Sequence, residues 1–567
     1  MNSTQALSHV VGSTDVPLIE KTIGAYFDEI VTRYPQQPAL IVNHQNIRYN
    51  YAQLQEQVNN LAVQLHKLGL NKGDRIGIWS HNCAEWVLTQ FATAKLGLIL
   101  VNINPAYRST ELSFALKSVG CKALILAPHF KTSHYVDILG SLAPEIASTP
   151  AGQELNLKNL PDLKIAIHLG TETFAGLIPF DKLLVPSTLE ELAELDFIQS
   201  QLSPTDPINI QFTSGTTGLP KGATLSHRNI INNGYYIGES MRLTPDDKLC
   251  IPVPLYHCFG MVLGNLACVS HGAAMVYPSE AFNPQDVLET VQKERCTALH
   301  GVPTMFIAIL DLPNFADYRL DSLRTGIMAG SPCPTEVMKK VIARMHMSEV
   351  TIAYGMTETS PVSFQSAVDD PIDVRVSTVG RIQPHIEAKI VNEQGETVPC
   401  GEKGEILVKG YCVMSEYWNG ALQTEAAIDA DGWMHTGDLG VLDEHGYCTI
   451  TGRAKDVVIR GGENIYPREV EEYLYQHPKI QDVQCVGVPD VKFGEELCAC
   501  VVVRAGETCT EEEVRGFCRG QIAHYKVPRY VCFVDEFPMT ITGKIQKYIL
   551  RDMMAKELGL ASERADD

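Results

Sequence analysis

Short apolar runs that alternate with helix-like segments constrain the fold of this 567-residue chain more than any other feature. Residues 75–102 read as a strand RIGIW, a helical segment and a second strand LILVN. In the next cycle, a helical pattern over 110–120 ends at Gly120, the predicted C-cap, and an apolar run follows at 123–127. This alternation predicts βαβ units and parallel sheets covered by helices. We therefore predict an α/β fold.

The pattern changes along the chain, which is long enough for more than one domain. Apolar runs that resemble strands continue over 248–253, 274–277 and 298–301, and two more predict a smaller β-rich portion at 387–391 and 405–408. In the last part of the chain, a helix should place Val470, Tyr473, Leu474 and His477 on one face. Strands over 483–488 and 498–503 and a Glu-rich helix over 510–519 follow. We predict a large N-terminal domain of residues 1–453, with the β-rich portion as a subdomain, and a small α/β domain of residues 454–567.

Composition limits the class of partner. The net charge of −21, from 46 Lys and Arg against 67 Asp and Glu, disfavours general binding to nucleic acid or to an anionic membrane surface. Sixteen scattered cysteines without a CxxC pair argue against a zinc ribbon and a disulfide framework. The first residues lack the charge pattern of a leader peptide, and the longest apolar stretch, 258–269, is too short to span a bilayer. We predict a cytoplasmic protein with reduced thiols, no transmembrane segment and no nucleic-acid partner.

One glycine-rich stretch, FTSGTTGLPKGATLSH at 212–227, follows a strand-like run. Gly215, Gly218 and Gly222 allow close approach of backbone N–H groups, the hydroxyl residues add donors, and Lys221 adds a cation. The physical interpretation is a polyphosphate cradle at the end of a strand, and the alternative is a solvated turn. It is not a Walker loop, because Lys221 follows a proline and precedes a glycine.

Five blocks occur along the chain in one order: TSGTTGLPKG at 213–222, YGMTETS at 354–360, TGD at 436–438, GRAKDVVIRGGENIYPREVE at 452–471 and PMTITGKIQK at 538–547. In these blocks the chain resembles the adenylate-forming acyl-CoA synthetase superfamily. The segments AGSPCP, GYCVMSEYW and RGGENIYP, together with the ending, look most like its medium-chain fatty acyl-CoA synthetase branch. The resemblance implies that ATP activates a fatty acid to acyl-AMP with release of pyrophosphate, and that coenzyme A then takes the acyl group.

The resemblance also implies roles for individual residues in binding ATP. The β- and γ-phosphates would lie against Thr213, Ser214, Gly215, Thr216, Thr217, Gly218, Leu219, Pro220 and Lys221. Adenine would lie between two segments, Gly330, Ser331 and Pro332 on one side and Tyr354, Gly355 and Met356 on the other. Thr357 would meet the α-phosphate, and Glu358, with Thr216, would ligate Mg²⁺, which prefers such oxygen ligands. Without the resemblance, Tyr354 would be a core residue and Glu358 a surface charge.

Further residues match positions that the family uses for the ribose and for the two half-reactions. Asp438 would accept hydrogen bonds from the ribose hydroxyls, and Arg453 would add a ribose or phosphate contact. Lys544, otherwise an exposed lysine, matches the residue that neutralises charge between the carboxylate and the α-phosphate. Lys455 matches the hinge about which the small, mobile domain rotates. That rotation would exchange Lys544 for the loop of Gly461, Gly462 and Glu463, whose glycines can admit a pantetheine arm.

The sequence specifies the acyl site less closely than it specifies the ATP site. Residues 254–264, PLYHCFGMVLG, suit either a tunnel wall or an ordinary buried helix, and His257 matches a gate position of the family. The absence of Arg and Lys from 254–270 favours an uncharged acyl tail. An aryl-CoA ligase, a ligase with another acceptor and a non-catalytic nucleotide-binding protein are the alternatives. The expected partners are small molecules, namely a fatty acid, ATP and coenzyme A, and a homodimer is compatible with the sequence.

Overall fold

The computed structural model describes residues 6–213, 220–331, 333–540 and 543–560. Its first large sheet has eight strands, and the first six of them run parallel, as the βαβ pattern predicted. In spatial order the strands are Leu177–Pro179, Ile165–His168, Ala123–Leu126, Arg75–Trp79, Ile99–Asn102, Pro207–Thr213, Lys221–Ser226 and Glu416–Tyr417. Strand Lys221–Ser226 pairs antiparallel with both of its neighbours, Pro207–Thr213 and Glu416–Tyr417. The glycine-rich stretch therefore joins the two adjacent strands of one hairpin, Pro207–Thr213 and Lys221–Ser226.

The second large sheet has nine strands and a parallel centre. In spatial order the strands are Arg381–Ile382, Val362–Gln365, Glu349–Gly355, Thr325–Ala329, Ala298–Leu299, Lys248–Cys250, Ala274–Tyr277, Pro38–Val42 and Ile47–Asn50. The strands predicted over 248–253 and 298–301 are therefore shorter than expected, and the one at 274–277 is confirmed. One buried cluster of apolar side chains joins this sheet to the first one.

The predicted β-rich portion is a five-stranded antiparallel sheet. Its strands, in spatial order, are His9–Val11, Ile386–Val391, Gly404–Gly410, Met434–Leu442 and Cys448–Arg453. A short 3₁₀ turn, Ala454–Asp456, leads from its last strand into the C-terminal part of the chain.

The C-terminal part has a sheet and an apolar core of its own. Its strands are Glu463–Ile465, Val458–Arg460, Gly494–Val503 and Ile480–Asp490, with Tyr530–Phe533 parallel to Gly494–Val503. Helix Pro467–Leu474 buries Val470 and Leu474, as predicted. The prediction was wrong for His477, because the helix ends three residues earlier and His477 lies in the following turn.

Helices cover the large sheets, and capping residues mark the ends of several of them. The α-helices are Ile23–Arg33, Tyr51–Lys67, Ala84–Leu96, Ser109–Val119, Tyr135–Leu142, Leu189–Ser200, His227–Ser240, Ala267–His271, Pro284–Glu294, Pro303–Leu310, Thr335–Arg344, Ile372–Ser377, Ala421–Ala427, Pro467–Leu474, Glu511–Cys518 and Lys547–Glu557. Asn50 and Gln53 form a capping box, and Gly120 ends its helix in the left-handed conformation, as predicted.

Two predictions from composition can be compared with the fold. All sixteen cysteines fall within the described part of the chain, where no disulfide bond joins any of them. In the four described ranges, no helix combines the length and the apolar character that crossing a membrane requires.

Candidate active site

The predicted phosphate loop connects the carboxyl end of strand Pro207–Thr213 to strand Lys221–Ser226. Thr213 and Lys221 face each other in the register of this hairpin. Lys221 Nζ lies 4.9 Å from the ring centroid of Tyr417, a cation–π contact that holds the ammonium group beside the loop. Of the predicted loop residues, Ser214, Gly215, Thr216, Thr217, Gly218 and Leu219 lie outside the described residues, as does the predicted adenine contact Pro332.

A buried carboxylate lies next to this hairpin. Glu358, in the 3₁₀ turn Thr357–Thr359, is only 6% exposed, although its side chain is acidic. Its Oε1 accepts hydrogen bonds from Tyr417 Oη at 2.8 Å and from Thr213 Oγ1 at 3.1 Å. The turn places the carboxylate of Glu358 beside the hydroxyl oxygens of Tyr417 and Thr213, and Mg²⁺ prefers oxygen ligands of this kind. The residues therefore fit the metal that the resemblance implies.

A second buried carboxylate, Asp438, lies where the nine-stranded sheet meets the five-stranded one. Its Oδ2 accepts a hydrogen bond from Tyr354 Oη at 2.8 Å, and its Oδ1 accepts one from Arg453 Nε at 2.9 Å. Arg453 is opposite Asp438 in the strand register, and the carboxylate raises the pKa of the guanidinium group. Because each carboxylate oxygen has two acceptor positions, Asp438 can still accept from two hydroxyl groups.

Lys544 enters the same crevice from the C-terminal part of the chain. Its turn is closed by the hydrogen bond from Thr540 N to Lys544 O at 2.8 Å, and Thr304 Oγ1 donates to Gly543 O at 3.3 Å. Burial lowers the pKa of the Lys544 ammonium group, and the charge of Arg453 lowers it further. The charges of Cys258, Glu358 and Asp438 act on this pKa in the opposite direction.

The predicted adenine segments lie around this crevice. Gly330 follows strand Thr325–Ala329, and a Cβ atom built there would lie 3.5 Å from Lys544 Cε. Its φ of +94° lies in the region that favours glycine. Ser331 comes next, and Gly355 and Met356 link strand Glu349–Gly355 to the turn that carries Thr357 and Glu358. Pro220 directly precedes strand Lys221–Ser226.

The predicted acyl segment lies behind the phosphate hairpin. Residues Phe259–Leu266 form a π-helix that is buried throughout, as both the pocket and the core interpretations require. Cys258 Sγ donates to Gln211 Oε1 at 3.0 Å, which ties this segment to strand Pro207–Thr213. His257 Nδ1 accepts a hydrogen bond from Phe259 N at 3.2 Å. Burial, and then the charge of Lys544, lower the pKa of His257 to about 3, so the imidazole is neutral at physiological pH.

The predicted pantetheine loop is not part of this group of side chains. Gly461, Gly462 and Glu463 are exposed at the tip of a hairpin in the C-terminal sheet. Both glycines have positive φ, and a Cβ atom built at Gly462 would meet nothing within 4 Å. The predicted hinge residue, Lys455, is exposed in the 3₁₀ turn Ala454–Asp456.

Sequence reasoning missed Tyr417. It lies in the segment GYCVMSEYW, which contributed to the resemblance, but no role was assigned to it from the sequence. In the structure its hydroxyl group bonds Glu358 while its ring faces Lys221. The sequence gives no signal for this pairing, because Tyr417 is 59 residues from Glu358.

Comparisons with known proteins identify the family of this chain. The profile of the AMP-binding enzyme family matches residues 27–418, and that of the AMP-binding enzyme C-terminal domain matches residues 469–544. The putative acyl-CoA synthetase YngI of Bacillus subtilis is 49% identical over 549 residues, 96% of this chain and 100% of that protein. The mitochondrial medium-chain acyl-CoA ligase ACSF2 of Mus musculus is 46% identical over 559 residues, 98% of this chain and 91% of that protein. Among solved structures, the anthranilate CoA ligase AuaEII in complex with anthranoyl-AMP has a TM-score of 0.84 and 26% identity, with coverage of 96% of this chain and 99% of that one.

The chain therefore belongs to the AMP-binding enzyme family, which confirms the resemblance seen in the sequence. More narrowly, it is an AMP-forming acyl-CoA ligase with the α/β fold of that family.

Proposed function

We propose that this enzyme activates a medium-chain fatty acid to its acyl-AMP and then forms the coenzyme A thioester. The observation that supports the site assignment is that Lys544, from the C-terminal part, lies against Gly330 of the N-terminal part, where a Cβ atom would be 3.5 Å from Lys544 Cε. The charges of Glu358 and Asp438 also act on the pKa of Lys544. The named activity of the mouse relative, at 46% identity over nearly the whole chain, supports a medium-chain substrate. The uncharged segment beside His257 agrees with an apolar acyl tail.

In the first half-reaction, the carboxylate of the fatty acid attacks the α-phosphorus of ATP, and pyrophosphate leaves. This chemistry needs no protein nucleophile, because positioning and charge stabilisation lower the barrier. Lys544 would hold positive charge between the incoming carboxylate and the α-phosphate. Asp438 would bind the ribose hydroxyls, and Lys221 would meet the outer phosphates.

Glu358, with oxygens of the hairpin at Thr213 and Thr216, would hold Mg²⁺. When bound, this ion neutralises charge on the phosphate oxygens and orients them. Tyr417 would keep the carboxylate of Glu358 in place by donating to Oε1 at 2.8 Å. Neutral His257 would accept no proton in this step and would act by shape at the mouth of the acyl site.

In the second half-reaction, the thiol of coenzyme A displaces AMP from the acyl group. The thiol must reach the carbonyl carbon, so we propose that residues 454–567 rotate as a domain about Lys455 and withdraw Lys544 from residues 1–453. The exposed 3₁₀ turn between two sheets is a suitable hinge. The hairpin with Gly461, Gly462 and Glu463 would then take the place of Lys544 and pass the pantetheine arm.

The substrate assignment is tested by measuring kcat/KM with fatty acids of two to sixteen carbons, benzoate and cinnamate. We expect a maximum in the medium-chain range, because each methylene group that enters an apolar site adds about 0.8 kcal/mol until the site is filled. A maximum with an aromatic acid would contradict the fatty-acid assignment. Pyrophosphate release without thioester formation would indicate another acceptor.

The assignment of Lys544 is tested with Lys544→Ala. We expect acid-dependent pyrophosphate release to fall by about a hundredfold or more, because a half-buried cation beside the proposed reacting groups is lost. Thioester formation from supplied acyl-AMP should be retained. Lys556→Ala, in the following helix, is the control and should leave both rates unchanged. Equal loss of both half-reactions in Lys544→Ala would refute the division of roles.

The proposal extends to the compartment and the oligomeric state of the enzyme. The absence of disulfide bonds among the described cysteines agrees with a reducing, cytoplasmic compartment. Sedimentation of the purified chain would decide between a monomer and a homodimer.

A further inference from the structure

Three loops at the carboxyl ends of strands place two histidines and a glutamate together, using residues that the crevice does not use. His44 follows strand Pro38–Val42, His81 follows strand Arg75–Trp79, and Glu280 follows strand Ala274–Tyr277. One ligand atom from each side chain lies within 4.8 Å of the other two. The strand before His81 belongs to the eight-stranded sheet and the other two to the nine-stranded sheet, so the cluster bridges the two.

The backbones of these loops are fixed to one another by hydrogen bonds. Asn43 N donates to Tyr277 O at 3.1 Å, which joins the first loop to the third. Ala84 N donates to Gln45 Oε1 at 2.7 Å, which joins the second loop to the first. Asn82 N donates to the backbone oxygen of Glu280 at 3.1 Å, which joins the second to the third. The three side chains therefore start from a rigid triangle of loops.

The central ring has the tautomer that metal binding needs. His81 Nδ1 lies 3.1 Å from Asn82 O, so this nitrogen carries the proton and donates it to the carbonyl group. Nε2 then keeps its lone pair, and it lies 4.0 Å from Glu280 Oε1. Phe130 packs against the His81 ring with 5.7 Å between centroids, which holds the ring in this orientation. A carbonyl group behind a ligating imidazole is the usual support of a metal-binding histidine.

We propose that His44, His81 and Glu280 form a binding site for a divalent transition-metal ion, for which Zn²⁺ is the best match. Two imidazole nitrogens and one carboxylate oxygen are a ligand set that Zn²⁺ accepts, with water at the fourth position. Ligand atoms of a tetrahedral zinc site are about 3.4 Å apart, given bonds of about 2.1 Å. The Glu280 side chain is 56% exposed, so a change of its rotamer can close the present gap.

The site would act as a clamp between the two large sheets. The loop that carries His81 also contacts the start of the acyl segment. Asn82 Nδ2 donates to Val253 O at 3.0 Å, and Asn82 Oδ1 accepts from Leu255 N at 2.8 Å. Bound metal would thus stabilise the edge from which the segment with His257 begins. This role is separate from the Mg²⁺ that accompanies ATP.

The test is a titration of the chelator-treated full chain with ZnCl₂ by calorimetry, followed by CoCl₂ with visible absorption as the readout. We expect one equivalent of Zn²⁺ with a dissociation constant in the micromolar range or below, and a Co²⁺ spectrum typical of four or five ligands. His81→Ala and Glu280→Gln should each weaken binding by about tenfold or more, and His44→Ala should do the same. Zinc should raise the Tm of the wild-type chain and leave that of His81→Ala unchanged.

The matched control is His129→Ala, which removes an exposed histidine whose ring neighbour is His134, at 6.5 Å between centroids. It should bind zinc like the wild type. Retained acid-dependent pyrophosphate release in every variant checks that the fold is intact. Zinc affinity that does not change in His81→Ala and Glu280→Gln, or that falls equally in His129→Ala, would overturn the proposal, as would binding of the wild-type chain only at millimolar zinc.

Discussion

At the scale of single residues, Tyr417 determines how the crevice presents its carboxylate. Burial, and then the charge of Glu358, raise the pKa of the Tyr417 hydroxyl group, so it stays protonated and donates to Glu358. The same ring receives the Lys221 ammonium group on its face. One side chain thus positions both a candidate metal ligand and a candidate phosphate ligand.

We expect Tyr417→Phe to lower kcat/KM for ATP in the adenylation half-reaction by about tenfold to a hundredfold. The reason is the loss of a hydrogen bond to a charged group, worth about 1.5–3 kcal/mol. The cation–π contact with Lys221 is kept, because phenylalanine retains the ring. Pyrophosphate release at varied ATP and Mg²⁺ measures the effect, which should be larger at low Mg²⁺.

Tyr447→Phe is the matched control for this change. Tyr447 Oη donates to Asp370 Oδ1 at 2.6 Å, so the control removes a similar bond between a tyrosine and a carboxylate outside the crevice. It should lower the Tm and leave the kinetics of the folded enzyme unchanged. If both variants lose activity equally, the effect of Tyr417 is on folding and its positioning role is wrong.

At the scale of elements, the hairpin of strands Val458–Arg460 and Glu463–Ile465 offers a test of the second half-reaction. We expect Gly462→Leu to slow thioester formation from acyl-AMP by about tenfold or more while adenylation is retained. In the observed conformation the new side chain has open space, whereas after rotation it would enter the proposed path of pantetheine. Measuring the two half-reactions separately gives the result.

Gly506→Leu controls for backbone strain in that experiment. Gly506 also has a positive φ, +83° against +92° at Gly462, and a Cβ atom there would meet nothing within 4 Å. Both variants bear the same kind of conformational cost in a C-terminal turn. Thioester synthesis at the normal rate in Gly462→Leu would remove the proposed path.

The segment with Gly260 illustrates how far an element could be predicted. The apolar character of residues 254–264 predicted burial, and Phe259–Leu266 is buried. Its π-helical geometry was not predictable, because π-helices are rare and the apolar pattern of residues 254–264 does not distinguish i→i+5 from i→i+4 hydrogen bonds. A Cβ atom at Gly260 would lie 2.5 Å from Pro254 O, so the glycine permits a close approach that only the folded chain reveals.

At the scale of the whole molecule, buried neutral histidines make the free energy of unfolding depend on pH. His227 and His300 are inaccessible to solvent, and burial lowers their pKa to about 3 and about 4. Their Nδ1 atoms accept hydrogen bonds from Ile23 N and Ile327 N, which only an unprotonated nitrogen can do. Below about pH 6.5 the unfolded chain therefore binds protons that the folded chain does not.

We expect the Tm to fall as the pH decreases from 6.5 towards 4, because each such histidine contributes about 1.4 kcal/mol per pH unit to this loss. In His227→Asn the amide oxygen can still accept from Ile23 N, so the variant should show a shallower dependence of Tm on pH. The exposed His129→Asn is the control and should keep the wild-type slope. Identical slopes in all three proteins would contradict the assignment.

The sequence by itself determined the α/β class, the two-part organisation and the family. These follow from periodicity and from motifs whose residues are neighbours along the chain, such as the turn with Thr357 and Glu358. Tertiary structure alone decided which distant side chains contact one another, such as Tyr417 with Glu358 and Tyr354 with Asp438. It also decided the cluster of His44, His81 and Glu280, because separate strands that end at neighbouring edges of two packed sheets bring these residues together. The local sequence determines secondary-structure propensity and the spacing of motif residues. Contacts between residues that are far apart along the chain form only when the sheets pack against each other.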